Sequence, residues 1–170
     1  KIPTDPQYVR HLQQEGMAIH GLSHPNIVRA IDLDPYADPP YLIMEYVDGL
    51  SLKAHIERNN SGLPVETAVA ILQGMLSALE AAHHANVIHR DIKPANILIA
   101  GGPGLDGVRA RQVKVTDFGL GRNADAVNTM LQSGSLGPEK GWNLAGTLAY
   151  MSPEQRDGRP LDARSDLYSL

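Results

Sequence analysis

Hydrophobic and polar positions switch between a helical and a strand period several times along the chain. From Tyr8 to Leu22, the residues Leu12, Glu15, Ile19 and Leu22 fall on one face of a 3.6-residue helix, with Gly21 as a stop signal. Glu15 is a carboxylate on an otherwise apolar stripe. An unpaired buried charge costs several kcal/mol, so Glu15 is either paired at a cleft edge or turned out to water. Ile27–Ile31 and Tyr41–Val47 read as strands separated by a Pro/Asp-rich turn, and Asp48-Gly49 closes the second at a natural boundary. A long helix enters through Pro64, with Val69, Leu72, Leu76 and Leu79 as its apolar stripe and Met75 beside them. Two short strands follow, Ile97–Ile99 and Val113–Val115, joined by a glycine-rich link. The stretch 122–143 is small and polar and reads as one long loop.

Composition narrows the class. The chain has 170 residues, 42% hydrophobic and 20% charged, which suits one packed domain or part of one. A net charge of −4 gives no basic face for a phosphate backbone, so no nucleic-acid partner is expected. There is no cysteine, which excludes disulfides and cysteine zinc sites and agrees with a cytoplasmic location. No run of 18 apolar residues and no signal-like segment is present, so no membrane contact is expected from this segment. Both ends, Lys1 and Leu170, fall inside regular patterns and read as cut from something longer.

Gly102-Pro103-Gly104-Leu105-Asp106-Gly107 spells a phosphate-loop motif after a strand. Such a loop needs a helix N-terminus behind it, where free N–H groups meet the phosphate. The sequel, Val108 to Val113, heads into a strand instead, so the motif is read as a flexible hairpin tip.

The chemistry is concentrated in Val87-Ile88-His89-Arg90-Asp91-Ile92-Lys93-Pro94-Ala95-Asn96-Ile97-Leu98 and, one hairpin later, in Asp117-Phe118-Gly119. Taken singly, Asp91 is a turn former, Asn96 a cap and Asp117 a strand exit. In this order, between a helix and two strands, their oxygen-bearing side chains can converge at one cleft. The strings resemble the catalytic loop and metal-binding loop of the eukaryotic-like serine/threonine protein kinase family, including its bacterial members.

That resemblance implies an α+β, two-lobed protein-kinase-like fold, incomplete at both ends. Residues 1–47 would form part of the N-terminal lobe and residues 48–170 the first half of the helical C-terminal lobe. It implies ATP and Mg²⁺ as cofactors and serine/threonine-bearing proteins as substrates. Asp91 would orient the hydroxyl and take its proton, Lys93 would offset charge growing on the γ-phosphate, and Asn96 and Asp117 would hold Mg²⁺. Lys1 would pair with Glu15 as the ATP-binding lysine. Met44 would line the back of the adenine pocket, backbone groups of Glu45 and Val47 would bond adenine, and Leu98 would pack beneath it. Arg90 would bind a phosphorylated activation loop, with Thr129, Ser133 and Ser135 as candidate acceptors. The string Gly146 to Glu154 resembles the end of that loop, with Thr147 touching Asp91 and Lys93. His89 and Phe118 would be structural, and Asp166 would accept backbone N–H bonds from His89 and Arg90.

The 101–111 hairpin tip and the 122–143 loop are longer than the family's usual lengths. The glycine-rich lid before Lys1, the helices after Leu170 and an arginine partner for Glu154 are missing, so these 170 residues alone are expected to turn over little. Two competing readings are a catalytically silent, pseudokinase-like scaffold and a small-molecule kinase related to antibiotic phosphotransferases. The joint presence of Asp91, Lys93, Asn96 and Asp117 argues against the first, and the Asp-Phe-Gly and Ser-Pro-Glu strings against the second.

Overall fold

The computed structural model describes residues 21–34, 36–38, 41–59, 62–102, 104–105, 107–118 and 148–170. Lys1, Glu15, Thr147 and the three candidate phosphoacceptors lie outside these residues.

Strands β1 (Ala30–Asp34) and β2 (Tyr41–Met44) form an antiparallel pair with a register shift between Ala30 and Asp32. Asp34 closes the turn between them, its side chain accepting from the Tyr36 and Ala37 amides at 3.0 Å each. A second, three-stranded antiparallel sheet runs β3 (Gly49–Ser51), β4 (Ile97–Ala100), β5 (Val113–Val115), with β4 in the centre. The segment Asn26–Val28 ties the two sheets together. The Val115 amide donates to the Asn26 carbonyl at 2.8 Å, and the Val28 amide to the Val115 carbonyl at 2.9 Å. The Asn26 side chain then donates to the Ala110 and Val113 carbonyls at 2.6 and 2.7 Å, satisfying acceptors 84 and 87 residues away.

Helix α1 (Leu52–Arg58) starts at Ser51, whose hydroxyl accepts from the Ala54 amide. Helix α2 (Val65–His84) spans twenty residues behind Pro64. Its buried face is Thr67, Ile71, Gly74, Met75, Ala78, Leu79 and Ala82. That corrects the expected stripe, because Val69, Leu72 and Leu76 are exposed while Leu79 and Met75 are not. The sheet chose the face rich in small residues. At Gly74 a Cβ would stand 2.6 Å from both the Ala110 carbonyl oxygen and Val113 Cβ, so only glycine lets helix and hairpin approach this closely. The helix is long and apolar enough to cross a bilayer, yet this face packs into the core with Ile97, Ile99, Val113 and Val115. Each such fully buried aliphatic side chain contributes about 1.5–3 kcal/mol.

Three strand and loop expectations also shift. Ile27 makes a single parallel bridge to Val115 rather than joining β1, and β2 stops at Met44, three residues short of Val47. Past this point only the Glu45 amide still bonds across, to the Arg29 carbonyl, and no described residue bonds the Glu45 carbonyl or the Val47 amide. The 101–111 link is indeed a hairpin, followed by a single 3-10 turn at Ala110–Gln112 and a strand with no helix behind the glycines. Its tip is anchored, because Leu105 is buried in the core and its carbonyl accepts from Thr67 Oγ1.

Short helices α3 (Pro153–Arg156) and α4 (Ala163–Tyr168) complete the described chain. Ser152 and Gln155 form a reciprocal capping box on α3, and Asp162 caps α4. Leu72, Ile92, Pro94, Tyr150 and Leu170 line an apolar cleft between α2, the 87–96 loop and the residues just before α3 and just after α4.

Candidate active site

The loop from Val87 to Asn96 is held by side chains from three elements. Asp166 on α4 is 1% exposed. Its Oδ2 accepts from the His89 amide at 2.9 Å and its Oδ1 from the Arg90 amide at 2.8 Å. The same Oδ2 meets His83 Nε2, on α2, at 2.7 Å. Arg90 adopts φ +69°, a left-handed conformation that costs a non-glycine residue about 1–2 kcal/mol. Gln155 Nε2 donates to its carbonyl at 2.7 Å, so both peptide groups of Arg90 are gripped from outside the loop.

Asp91 follows directly. Its Oδ2 lies 2.7 Å from Lys93 Nζ and accepts from Asn96 Nδ2 at 3.1 Å. Asn96 Nδ2 also donates to the Asp91 carbonyl at 2.8 Å. The amide nitrogen of Asn96 is thereby committed inward, and no described residue bonds its Oδ1. Asn96 is joined in turn to the second loop, since the Thr116 amide donates to its backbone carbonyl at 3.0 Å.

His89 closes the unit. Its Nδ1 accepts from the Asp91 amide at 3.2 Å, which makes Nε2 the protonated nitrogen, donating to the Thr116 carbonyl at 2.9 Å. The ring lies against Phe118 with centroids 4.5 Å apart. Asp117, between Thr116 and Phe118, has φ +62°, tolerated by aspartate better than by most residues. It is partly exposed, and its one polar contact among the described residues is a long 3.5 Å approach of Thr116 Oγ1. Asp91, Asn96 and Asp117 are therefore built into one hydrogen-bonded unit around a buried imidazole.

Burial pushes the His89 pKa down, outweighing the Thr116 carbonyl bond and the charges of Asp166, Asp91 and Asp117 that favour protonation. Burial likewise lowers His55, on α1, assisted by Arg58. Both folded-state values lie below the ordinary 6.5. The unfolded chain therefore takes up protons that the folded chain refuses as pH falls through 6.5. Stability is expected to be full above pH 6.5 and to decline below it, by up to about 1.4 kcal/mol per pH unit for each histidine. Urea titrations at pH 7.5, 6.5 and 5.5 check this, and equal stability at all three pH values contradicts it.

The strand-to-loop exit of β2 is tied to β5, the strand that leads into Thr116 and Asp117. The Glu45 amide donates to the Arg29 carbonyl at 2.9 Å, while no described residue bonds the Glu45 carbonyl or the Val47 amide. The Glu45 side chain pairs with Lys114 Nζ at 2.7 Å and accepts from the Arg29 amide. Burial raises the Glu45 pKa, but the Lys114 bond and the Arg29 amide outweigh it and hold the carboxylate below its usual value. Met44 ends β2, 37% exposed, and Leu98 is half-buried on β4 opposite Lys114 and Ser51. On α3, Glu154 accepts from Ser165 Oγ, which holds its carboxyl below the usual range. Arg90 Nε is shielded from solvent with no partner among the described residues.

Sequence reasoning missed Gln155, His83 and the Glu45–Lys114 pair. Only Lys114 left a trace, as the polar centre of the alternating Val-Lys-Val strand. Among the described residues no three His, Asp or Glu side chains form a metal cage. Asn96 Oδ1 and the Asp117 carboxylate offer hard oxygen donors with most coordination positions left over, which suits a small hard cation that keeps water and phosphate ligands.

Comparison with known proteins agrees with this geometry. The family model for the protein kinase domain matches residues 2–170. A probable serine/threonine-protein kinase of Clostridium perfringens is 40% identical over the whole of this chain, which spans 22% of that protein. Serine/threonine-protein kinase PknB of Mycobacterium tuberculosis is 36% identical over 99% of this chain and 25% of its own length. Among solved structures, the PknI kinase domain of Mycobacterium tuberculosis superposes with a TM-score of 0.68 at 26% identity, covering 97% of this chain and 54% of that one. The chain thus spans about a quarter or less of the curated relatives it matches, and about half of a solved kinase domain. The family model and these relatives, in agreement with the two-loop geometry, place the chain in the protein kinase family, among the bacterial eukaryotic-like serine/threonine kinases.

Proposed function

We infer that the protein carrying this chain transfers the γ-phosphate of ATP to serine or threonine hydroxyls of protein substrates. The observation that supports it most is Asp91, held between Lys93 and Asn96 on a clamped loop and joined through Thr116 to Asp117. A hydroxyl is a poor nucleophile, so Asp91 Oδ2 orients it and accepts its proton. The hydroxyl oxygen bonds to the γ-phosphorus as the bond to the β–γ bridging oxygen breaks and ADP leaves. Lys93, 2.7 Å from the Asp91 carboxylate, would offset the charge growing on the γ-phosphate oxygens beside that carboxylate. Asn96 and Asp117 are the residues that would hold Mg²⁺, which screens phosphate charge when bound.

The Glu45 carbonyl and Val47 amide, which no described residue bonds, suit the donor and acceptor edge of adenine, with Met44 and Leu98 as apolar walls. Arg90, whose buried Nε has no described partner, suits an anionic group such as a phosphorylated loop. Lys1, Glu15 and Thr147 keep the roles their motif positions imply: the first two at the phosphates, the third beside Asp91. Residues 1–47 and 48–170 belong to the two lobes of one catalytic module, working on the cytoplasmic side where ATP is supplied. The test is radiolabel transfer from Mg·ATP to a basic protein substrate by the complete protein, followed by phosphoamino-acid analysis. Phosphoserine or phosphothreonine is expected. Label on small molecules alone, or none at all, overturns the reading.

A further inference from the structure

We propose that Gln155 is a positioning residue for phosphotransfer, holding the aspartate loop in its working shape through the Arg90 carbonyl. The proposal rests on the phosphotransfer reading above. Gln155 is 5% exposed and uses its amide in two directions. Oε1 accepts from the Ser152 amide at 3.0 Å, completing the cap of α3. Nε2 donates to the Arg90 carbonyl at 2.7 Å, across 65 residues of sequence.

The second bond falls at a mechanically sensitive point. Arg90 is left-handed at φ +69° and immediately precedes Asp91, so a relaxation of its backbone swings the Asp91 side chain. Asp166 grips the amide side of Arg90 at 2.8 Å and Gln155 grips the carbonyl side. Without Gln155, the peptide between Arg90 and Asp91 is held only by the longer 3.2 Å bond of its N–H to His89 Nδ1, and its carbonyl can turn toward a relaxed conformation. A displacement of about 1 Å at a reacting group costs on the order of 10²-fold in rate. A helix cap alone does not require this contact. Glutamate serves as well as glutamine in a capping box, but only glutamine has the N–H that the Arg90 carbonyl accepts.

That difference supplies the experiment. Gln155→Glu keeps the cap acceptor for Ser152 and sets a carboxylate oxygen against the Arg90 carbonyl, close to the acidic groups Glu154, Asp91 and Asp166. In the complete protein, with Mg·ATP and a basic protein substrate, kcat is expected to fall on the order of 10²-fold. The KM for ATP and the affinity for a fluorescent nucleotide should stay at the parent level. Lowering the pH should recover part of the loss, because the introduced carboxyl regains a donor once it is protonated, whereas the parent enzyme should show no such rise. Gln155→Met, close in size and without a donor, is the second variant should the first not fold, and its loss should be independent of pH. Parent-level kcat in a folded variant of either kind overturns the proposal, as does a rise of KM without change in kcat. A parent protein silent toward every hydroxyl substrate sinks the phosphotransfer reading and this inference with it. An active parent with unimpaired variants sinks this inference alone.

Discussion

Asp91→Asn in the complete protein is expected to lower phosphotransfer by about 10²–10⁴-fold, the usual contribution of a positioned proton acceptor, while nucleotide affinity stays unchanged. The substitution keeps size and shape and removes basicity. Asn96 Nδ2 retains its bond to the residue 91 backbone carbonyl at 2.8 Å, so the loop has no reason to rearrange. Lys93 loses the carboxylate it now meets at 2.7 Å. Steady-state transfer assays beside a fluorescent-nucleotide titration separate the two effects. Near-normal turnover would mean that Asp91 does not take the proton.

The second large effect is on stability. Asp166→Ala removes one buried carboxylate and leaves three donors without their acceptor: the His89 amide, the Arg90 amide and His83 Nε2. Breaking a buried, hydrogen-bonded charge in this way costs about 3–5 kcal/mol. The exposed Arg159–Asp157 pair is a useful contrast. It is equally short at 2.8 Å, but both side chains are 59% exposed, so Asp157→Ala should cost less than about 1 kcal/mol. Urea denaturation of the two variants decides the matter. Equal, small losses would show that the Asp166 cluster is incidental.

The functional centre was more legible in the sequence than the packing around it, for a physical reason. Asp91, Lys93 and Asn96 lie within six positions on one loop, and Asp117 follows a two-strand hairpin, so short chain connections leave little freedom to separate them. The inner face of α2 was misread because its contacts use Gly74, Ala78 and Ala82, whose weak hydrophobicity is outweighed in any periodicity by Leu72 and Leu76. Close approach rather than side-chain bulk decided the face. The loop's outer supports were invisible for another reason. His83 finds Asp166 across 83 residues and Gln155 finds Arg90 across 65, separations over which no local pattern carries information. Glu45 was assigned a backbone role only, and the Lys114 partner of its side chain emerged with the Asn26–Val28 segment that ties β5 to the β1–β2 pair.

The most direct test is a crystal structure of the complete protein with Mg²⁺ and a non-hydrolysable ATP analogue. One Mg²⁺ should be ligated by Asn96 Oδ1 and the Asp117 carboxylate at about 2.0–2.1 Å, with the Asp91 carboxylate facing the terminal phosphate. Nucleotide bound elsewhere, or Asp91 and Asp117 opening onto different spaces, would contradict the account.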